Sequence, residues 1–307
     1  MNSNHIETLV LHAGIEPDPT TGAIMTPIFQ TSTYVQAAPG DHKGYEYART
    51  QNPTRDVLQK NLAALEGTKH GLCFSTGMGA VDACAKLLQP GDEVVSTNDL
   101  YGGTYRLFTK IFAQYGIKFH FVDMSDESAV RAVMNKNTKM VWVETPTNPL
   151  LRIIDIELMI QIGHEFGSIV VVDNTFASPY LQNPAKMGAD IVMHSATKFL
   201  SGHGVVIGGV LVDGGTFDWQ AARDTTLDAF LRMCAVFVQK RRDRFCPDSQ
   251  QACVRHFQGR QIGLQSKQVG KIVRVLRRPV GQGPVQPVLK VKFSEQSRQI
   301  FNVRSAD

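Results

Sequence analysis

Short apolar runs alternate with amphipathic stretches of helical period between about residue 52 and residue 212. Strands separated by single helices imply βαβ units and a mainly parallel sheet flanked by helices, so the predicted fold class is α/β. The run Ile169–Val172 is apolar throughout, as expected of a strand covered on both faces. The pattern predicts strands at 72–74, 93–96, 117–121, 140–143, 169–172, 191–193 and 205–212, and helices at 52–66, 78–88, 103–114, 127–134 and 155–166.

The two ends of the chain depart from this pattern. Residues 1–45 fit it poorly and are predicted to form an extended N-terminal arm ahead of an α/β domain at 46–222. Beyond it, residues 223–307 form an unassigned tail that is basic from Lys240 onward, with weak periodicity and at most one short strand at 289–293. We expect no secretory signal and no membrane span, because no basic and then apolar leader and no apolar run of about 20 residues occur.

The amino-acid composition excludes few classes of protein. The 43% hydrophobic and 20% charged residues are ordinary for a globular protein, and a net charge of +4 argues neither for nor against nucleic acid. The basic tail lacks interleaved aromatic residues and any recognition motif, so we expect no nucleic-acid partner. The five cysteines are irregularly spaced, which predicts no disulfide framework, no metal site and a reducing, cytoplasmic location.

A glycine-rich segment, residues 75–79, follows a predicted strand and opens a predicted helix. Backbone N–H groups at such a helix start, backed by the helix dipole, suit a phosphate. The segment nearly matches the dinucleotide fingerprint G-x-G-x-x-G, but Asp82 occupies the place of the third glycine. A cofactor phosphate site is therefore favoured over NAD, and a plain glycine-rich turn is the alternative.

Two reactive side chains follow neighbouring strands. Asp173 ends the apolar run, where a carboxylate could pair with a protonated pyridine nitrogen or, alternatively, cap a helix. Lys198 comes soon after the next strand, and a buried lysine with a lowered pKa is a nucleophile, whereas the alternative is an ordinary solvated surface lysine. Ser195 and Thr197 flank it and could give hydroxyl groups to a phosphate.

Three further residues have both a functional and an ordinary interpretation. Arg49 could hold a phosphate or lie free on the surface. Tyr101, just past a strand, could stack on a flat cofactor or pack in the core. Asn148 could bind a ring hydroxyl or simply form a turn. Because all these segments meet at strand ends of one sheet, the sequence predicts a cofactor pocket.

Together these segments resemble the Cys/Met-metabolism family of pyridoxal-phosphate enzymes over roughly residues 6–219. The resemblance implies the PLP-dependent transferase-like fold, known as fold type I. The motifs that carry it are Tyr-Glu-Tyr-Ala-Arg at 45–49, Asn-Pro-Thr-Arg at 52–55, Ser-Thr-Gly-Met at 75–78, Asp-Leu-Tyr-Gly-Gly-Thr at 99–104, Glu-Thr-Pro-Thr-Asn-Pro at 144–149, Val-Asp-Asn-Thr at 172–175 and Ser-Ala-Thr-Lys at 195–198.

The resemblance also implies roles for individual residues. Lys198 would hold pyridoxal 5′-phosphate as a Schiff base and then serve as proton shuttle. Tyr101 would stack on the ring and take part in catalysis, while Asp173 would hold the pyridine nitrogen. The other implied cofactor contacts are Gly77, Met78, Ser195 and Thr197 at the phosphate, Tyr47 and Arg49 from a neighbouring subunit, and Asn148 and Thr175.

The implied activity is transsulfuration of a small amino-acid substrate, cystathionine or an O-acyl-homoserine, by γ-elimination or γ-replacement in a homo-oligomer built as a dimer of dimers. Residues 45–124 resemble the cystathionine γ-synthase and γ-lyase branch, whereas residues 202–205 resemble O-acetylhomoserine sulfhydrylase, which is the alternative. After about Ala222 nothing matches the family's C-terminal domain, so we expect a truncated or diverged C-terminal region. A catalytically impaired fragment that keeps the cofactor pocket is the alternative of another class.

Overall fold

The computed structural model describes residues 5–217 and residue 219. The tail predicted for residues 223–307, with its short strand, lies outside the described residues. The helices are α1 (Ile6–His12), α2 (Pro53–Leu65), α3 (Gly77–Ala85), α4 (Gly102–Arg106), α5 (Glu127–Val133), α6 (Ile156–Glu165), α7 (Ser178–Leu181) and α8 (Pro184–Met187). The strands are β1 (Gln36–Ala38), β2 (Asp41–His42), β3 (His70–Phe74), β4 (Glu93–Thr97), β5 (Lys118–Val122), β6 (Thr138–Glu144), β7 (Ile169–Asp173), β8 (Ile191–His194) and β9 (Gly209–Asp213).

Seven strands form the central sheet in the order β3-β9-β8-β7-β6-β4-β5. The neighbours from β8 to β5 are all parallel, whereas β9 runs antiparallel to both β8 and β3. The predicted α/β class with a mainly parallel sheet is therefore confirmed. Among the described residues, no helix is long and apolar enough to cross a membrane.

Both faces of the sheet are buried. Met140, Trp142 and Val171 pack on one face beneath α3, and the alternate residues Val141 and Val172 pack on the other face with α2 and α6. β7 is buried on both sides from residue 170 to residue 172, as its unbroken apolar run predicts. Helices therefore cover both faces of the described sheet.

Side-chain caps explain where the main helices begin. Asn52 accepts hydrogen bonds from the backbone N–H groups of Thr54 and Arg55, and Pro53 occupies the first turn of α2. Asp155 caps α6 in the same manner by accepting the N–H of Leu158 at 3.0 Å. The predicted starts and ends of these two helices agree with the structure to within one residue.

The predicted helix at 103–114 is wrong as a single helix. After α4 the chain widens into a π-helical turn at Leu107–Ile111 and then tightens into a 3₁₀ turn at Phe112–Tyr115. Within the widened turn, Phe108 stacks on Phe119, with ring centroids 4.6 Å apart, and meets the edge of Trp142. This change in helix type coincides with burial of both Phe108 and Phe112 against the sheet. A hydrophobic pattern of regular helical period does not predict such a packing requirement.

The strand predicted at 205–212 is too long. Residues 205–207 are exposed and outside the sheet, and β9 begins only at Gly209. The hydroxyl of Thr197 bonds to both the N–H and the carbonyl of Gly208, which holds the preceding backbone away from the sheet. The apolar run is therefore longer than the strand, because it begins four residues before β9.

The N-terminal arm is not wholly extended, contrary to prediction. Residues 6–12 form α1, and Asn61 on α2 donates hydrogen bonds to the carbonyls of Leu9, Val10 and Ala13. A two-residue hairpin joins β1 to β2. Between these elements the arm exposes apolar side chains, among them Ile28 at 84% and Val35 at 91%.

Candidate functional site

A cavity of about 220 Å³ opens where the carboxyl ends of five strands meet. The chain leaves β4 towards β5 and returns to β6 on the other side of β4, and such a switch of strand order creates a crevice for ligands. β7, β8 and β3 end at the same edge, because β9 is antiparallel to both of its neighbours. The lining residues are Thr76, Gly77, Met78, Val81, Tyr101, Thr104, Glu144, Pro146, Asn148, Asp173, Thr175, Phe176, Met193, Ser195, Thr197, Lys198 and Ile207.

Most of the residues predicted from sequence lie together in this cavity. Those that line it are Gly77, Met78, Tyr101, Asn148, Asp173, Thr175, Ser195, Thr197 and Lys198. Tyr47 and Arg49 do not line it. They lie on the segment at residues 46–52 that connects the arm to α2, where the guanidinium carbon of Arg49 is 4.8 Å from the centroid of the Tyr47 ring.

Strand geometry explains why polar groups converge here. Side chains alternate between faces, so Glu144 and Asp173 continue the buried face that carries Trp142 and Val171. Glu144 and Asp173 are also register partners on adjacent parallel strands. The apolar core of this face therefore ends in two neighbouring carboxyl groups that line the cavity.

Asp173 is buried and oriented by its neighbours. Its Oδ1 accepts the hydroxyl of Thr175 at 2.5 Å and the backbone N–H of the same residue at 3.0 Å. The Thr175 hydroxyl in turn accepts the N–H of Ser195 at 2.8 Å, which ties the ends of β7 and β8 together. Burial raises the pKa of Asp173, and the Thr175 bonds oppose that shift.

The N-terminus of α3 forms the opposite wall. Thr76 caps the helix by accepting the N–H of Gly79 at 2.8 Å, and Gly77 and Met78 line the cavity in the first turn. A Cβ at Gly77 would lie 2.8 Å from both Cβ and Oγ of Ser195. Glycine is therefore required for the Ser195 hydroxyl to approach the helix start, where an anion would be favoured.

Lys198 lies at the mouth of the cavity and is exposed, so the expectation of a buried lysine is wrong for this structure. It follows the loop after β8 and precedes a 3₁₀ turn, Phe199–Ser201, that is itself largely outside the core. Among the described residues Lys198 forms no salt bridge. Thr197 also lines the cavity, but its hydroxyl bonds to the backbone of Gly208.

Tyr101 is 43% exposed, which rules out the alternative of a core tyrosine. Its ring lies over Gly103, where an added Cβ would collide with the ring edge and approach the sulfur of Met78 at 3.0 Å. The ring therefore forms part of the cavity wall between α4 and α3.

Glu144 was missed as a site residue by the sequence analysis. Its two oxygens accept the backbone N–H of Tyr101 at 2.9 and 3.1 Å, and it also accepts the N–H of Asn148. Burial, and next the charge of Asp173, raise the pKa of Glu144 to about 9. The signal was the strand alternation that places residue 144 on the same face as residue 142.

Thr104 was also missed. It lines the cavity from α4, and its buried hydroxyl has no hydrogen-bond partner among the described residues. Histidines, cysteines and carboxylates of the described region form no cluster of three or more suited to a metal ion. The cavity lining supplies amine, carboxyl, hydroxyl, carboxamide and backbone groups beside aromatic rings and methionine sulfur.

Comparison with a known family gives an extended match. The family described as Cys/Met metabolism PLP-dependent enzyme matches residues 7–238. A probable cystathionine gamma-synthase of Herpetosiphon aurantiacus is 51% identical over 205 residues, which cover 67% of this chain and 64% of that protein. A cystathionine beta-lyase of Coxiella burnetii is 52% identical over 212 residues, covering 69% of this chain and 55% of that protein.

A solved structure shares the fold. The crystal structure of metB from Corynebacterium glutamicum superposes with a TM-score of 0.70 at 46% identity, covering 76% of this chain and 59% of that one. The chain thus spans less than two thirds of the length of these relatives. The expected fold and the PLP-dependent character of the family are confirmed by the matches.

Proposed function

Because the chain belongs to the family of Cys/Met-metabolism PLP-dependent enzymes, we propose that its cavity binds pyridoxal 5′-phosphate with Lys198 as the covalent partner. One observation carries the proposal. An amine at Lys198, a buried carboxyl at Asp173 and the N-terminus of α3 all line one cavity. These groups match the aldehyde, the pyridine nitrogen and the phosphate of that cofactor.

The other predicted residues fit around these three groups. Gly77, Met78 and Ser195 all line the cavity at the start of α3, and we assign the backbone N–H groups of the first two and the hydroxyl of the third to the phosphate. The exposed ring of Tyr101 supplies a flat surface for stacking, and the side chain of Asn148 is available to the ring hydroxyl. Thr197 is assigned to the phosphate end as well, which requires its hydroxyl to exchange a Gly208 bond for the phosphate.

Thr175 would support the cofactor site through Asp173 as well as by lining the cavity. Its hydroxyl donates to Asp173 and accepts from Ser195 N–H, so it holds the carboxylate in position. Both of its bonds to Asp173 go to Oδ1, and Oδ2 accepts none among the described residues. We assign that second oxygen to the pyridine nitrogen of the cofactor.

The bound cofactor supplies an electron sink for charge developing on a substrate carbon. With the cofactor bound, the Lys198 amine would accept the proton from the substrate Cα and return it at a later step. Asp173 would hold the pyridine nitrogen, and Tyr101 would stack on the ring and take part in catalysis.

The substrate we propose is cystathionine or an O-acyl-homoserine, transformed by γ-elimination or γ-replacement. Support comes from the relatives, which are named cystathionine gamma-synthase and cystathionine beta-lyase. The sequence Gly-His-Gly-Val at 202–205, which resembles the sulfhydrylase branch, supports O-acetylhomoserine sulfhydrylase as the second candidate. We place the enzyme in the cytoplasm.

We further propose a homo-oligomer in which one copy completes the cavity of another. Tyr47 and Arg49 lie on the connecting segment at residues 46–52 and do not line their own chain's cavity, and the preceding arm exposes Ile28 and Val35. Association would cover these apolar side chains and bring Arg49 to the phosphate of the neighbouring copy. Residues 1–45 are the arm, residues 46–222 the cofactor domain, and residues 223–307 stay unassigned.

The experiment that tests the function separates binding from turnover. The purified chain is titrated with pyridoxal 5′-phosphate and followed by visible absorbance, then assayed with cystathionine and, separately, with O-acetylhomoserine plus sulfide. Turnover of cystathionine supports the first candidate, and activity only in the second assay supports the sulfhydrylase. Cofactor binding without turnover supports the impaired fragment, and absence of binding contradicts the whole proposal.

A further inference from the structure

Two loops beside the cavity carry Tyr101 and Asn148, and one carboxyl group holds the backbone of both. Tyr101 N–H donates to Glu144 at 2.9 Å from Oε2 and 3.1 Å from Oε1. Asn148 N–H also donates to Glu144. The backbone N–H of Glu144 donates to Thr97 at 3.2 Å, so the residue is anchored to the end of β4 as well.

A second carboxyl group makes the reciprocal contact. Asp99, on the loop after β4, accepts the hydroxyl of Thr147 at 2.5 Å and the N–H of Leu150 at 3.1 Å. The Thr147 hydroxyl also accepts the N–H of Arg152 at 2.8 Å. Each loop therefore contributes a carboxyl group that binds the backbone of the other loop, and we name Glu144 and Asp99 together the loop brace.

The loop brace controls Tyr101 through its backbone. Among the described residues, the Tyr101 hydroxyl forms no hydrogen bond, and the ring is 43% exposed. Tyr101 precedes α4 and has no side-chain capping bond. Its backbone N–H bond to Glu144 therefore fixes the position of the Cα atom from which the ring projects. Movement of this backbone would shift the ring relative to Gly103 and Met78.

We propose that Glu144 is a positioning residue that holds Tyr101 and Asn148 in the orientation required by the cofactor ring, with Asp99 supporting the same two loops. The inference rests on the proposed function, because it assumes that the ring lies against Tyr101. It goes beyond that function because it assigns Glu144 a role that acts on the cofactor through Tyr101 and Asn148.

The electrostatics of the cavity agree with this task. Burial raises the pKa of Glu144 to about 9, so at neutral pH the group is an uncharged hydrogen-bond acceptor. Burial raises the pKa of the adjacent Asp173 as well, and the Thr175 bonds oppose that shift. Glutamine has the same shape and keeps a carbonyl oxygen for the two N–H groups, so Glu144→Gln is the conservative variant.

The test is a double-mutant cycle on cofactor affinity. Glu144→Ala and Glu144→Gln are each made in the wild-type chain and in a Tyr101→Ala chain, and Kd for pyridoxal 5′-phosphate is measured by visible absorbance. The matched control is Glu157→Ala, an exposed glutamate on α6. The induced circular dichroism of the bound cofactor serves as the report on ring orientation.

We expect Glu144→Ala to weaken binding about 10-fold, which is the usual cost of losing one or two hydrogen bonds, and to alter the dichroism. Glu144→Gln should stay within about 3-fold of the wild-type chain. In the Tyr101→Ala chain the further loss from Glu144→Ala should shrink to below about 3-fold. Additive losses, or a Glu144→Gln variant as weak as Glu144→Ala, would overturn the proposal.

Amide hydrogen exchange in the absence of cofactor tests the loop brace alone. We expect faster exchange at residues 99–102 in Glu144→Ala and unchanged exchange in Glu144→Gln. Unchanged exchange in Glu144→Ala would overturn the loop brace even if the cofactor binds. A wild-type chain that binds no cofactor would instead contradict the proposed function, so the two failures are distinguishable.

Discussion

The sheet edge and the connecting segment at residues 46–52, between the N-terminal arm and α2, bring their predicted cofactor contacts to very different places. At the edge, Asp173, Ser195 and Lys198 follow adjacent strands and line one cavity. On the connecting segment, the Arg49 guanidinium lies over the Tyr47 ring, and neither residue lines the cavity. Parallel strands fix by their register which residues meet, whereas a segment with little regular structure imposes no such register. The position of Tyr47 and Arg49 therefore depends on what the connecting segment contacts.

At the sheet edge, we expect Asp173→Asn to weaken cofactor binding more than any other change. This variant keeps the size of the side chain but removes the charge assigned to the pyridine nitrogen. Removing one partner of a buried charge pair costs about 3 kcal/mol, so Kd for pyridoxal 5′-phosphate should rise at least about 100-fold. Absorbance titration measures it, with Asp126→Asn, a capping position at α5 that asparagine also suits, as the control. An unchanged Kd would remove Asp173 from the site.

Next in size is Gly77→Ala. Its methyl group would lie 2.8 Å from Cβ and Oγ of Ser195, so one wall of the phosphate end must shift. We expect cofactor affinity to fall about 10-fold through weakened phosphate contacts. Gly79→Ala is a matched control two residues further along α3, because its nearest neighbour would be Thr76 Oγ1 at 3.4 Å. Equal losses in the two variants would contradict a phosphate site at residue 77.

For the connecting segment, we expect Arg49→Ala to weaken cofactor binding about 5-fold, since the lost phosphate contact is partly exposed to solvent. Differently tagged Arg49→Ala and Lys198→Ala chains are then mixed. In the mixed oligomer one site combines the intact Lys198 of one copy with the intact Arg49 of the other, so tight binding should return. Arg131→Ala, at a half-buried arginine outside the cavity, serves as control. No restoration in verified mixed oligomers would show that Arg49 acts on its own chain, and the contrast between the sheet edge and the connecting segment would fail.

The smallest effect is on stability without cofactor. The folded pKa of Glu144 is about 9, above its unfolded value of 4.5, so between these pH values the unfolded chain loses a proton that the folded chain keeps. Stability should therefore fall as pH rises through that window. Glu144→Gln removes this contribution, so its melting temperature should decrease less between pH 5 and pH 8. The same decrease in both chains would contradict a raised pKa.

Much of the sheet edge could be predicted from sequence because strand alternation and βαβ order act locally. Asp173 and Ser195 were found as residues directly after apolar runs. Glu144 was missed, since its importance depends on pairing with Asp173 and on bonds to a loop more than 40 residues away. Lys198 lines the cavity, but its exposure depends on the surrounding loops, which a hydrophobic period does not describe.

Two errors in the fold have the same origin. The predicted helix at 103–114 is interrupted where Phe108 packs against Phe119 and Trp142. The strand predicted from residue 205 begins four residues later, where the contacts of Thr197 with Gly208 end. In both cases a contact between distant segments overrides a local pattern. The N-terminal arm depends on distant contacts most strongly, because its local sequence pattern predicts little of its structure.

The central claim is that Lys198 is the covalent partner of pyridoxal 5′-phosphate. The most direct measurement is reduction of the cofactor-treated wild-type chain with borohydride, followed by mass spectrometry of its peptides, with Lys186→Ala and Lys198→Ala chains in parallel. We expect one reduced adduct at Lys198 in the wild-type and Lys186→Ala chains and none in the Lys198→Ala chain. No adduct, or an adduct at another lysine, would contradict the account.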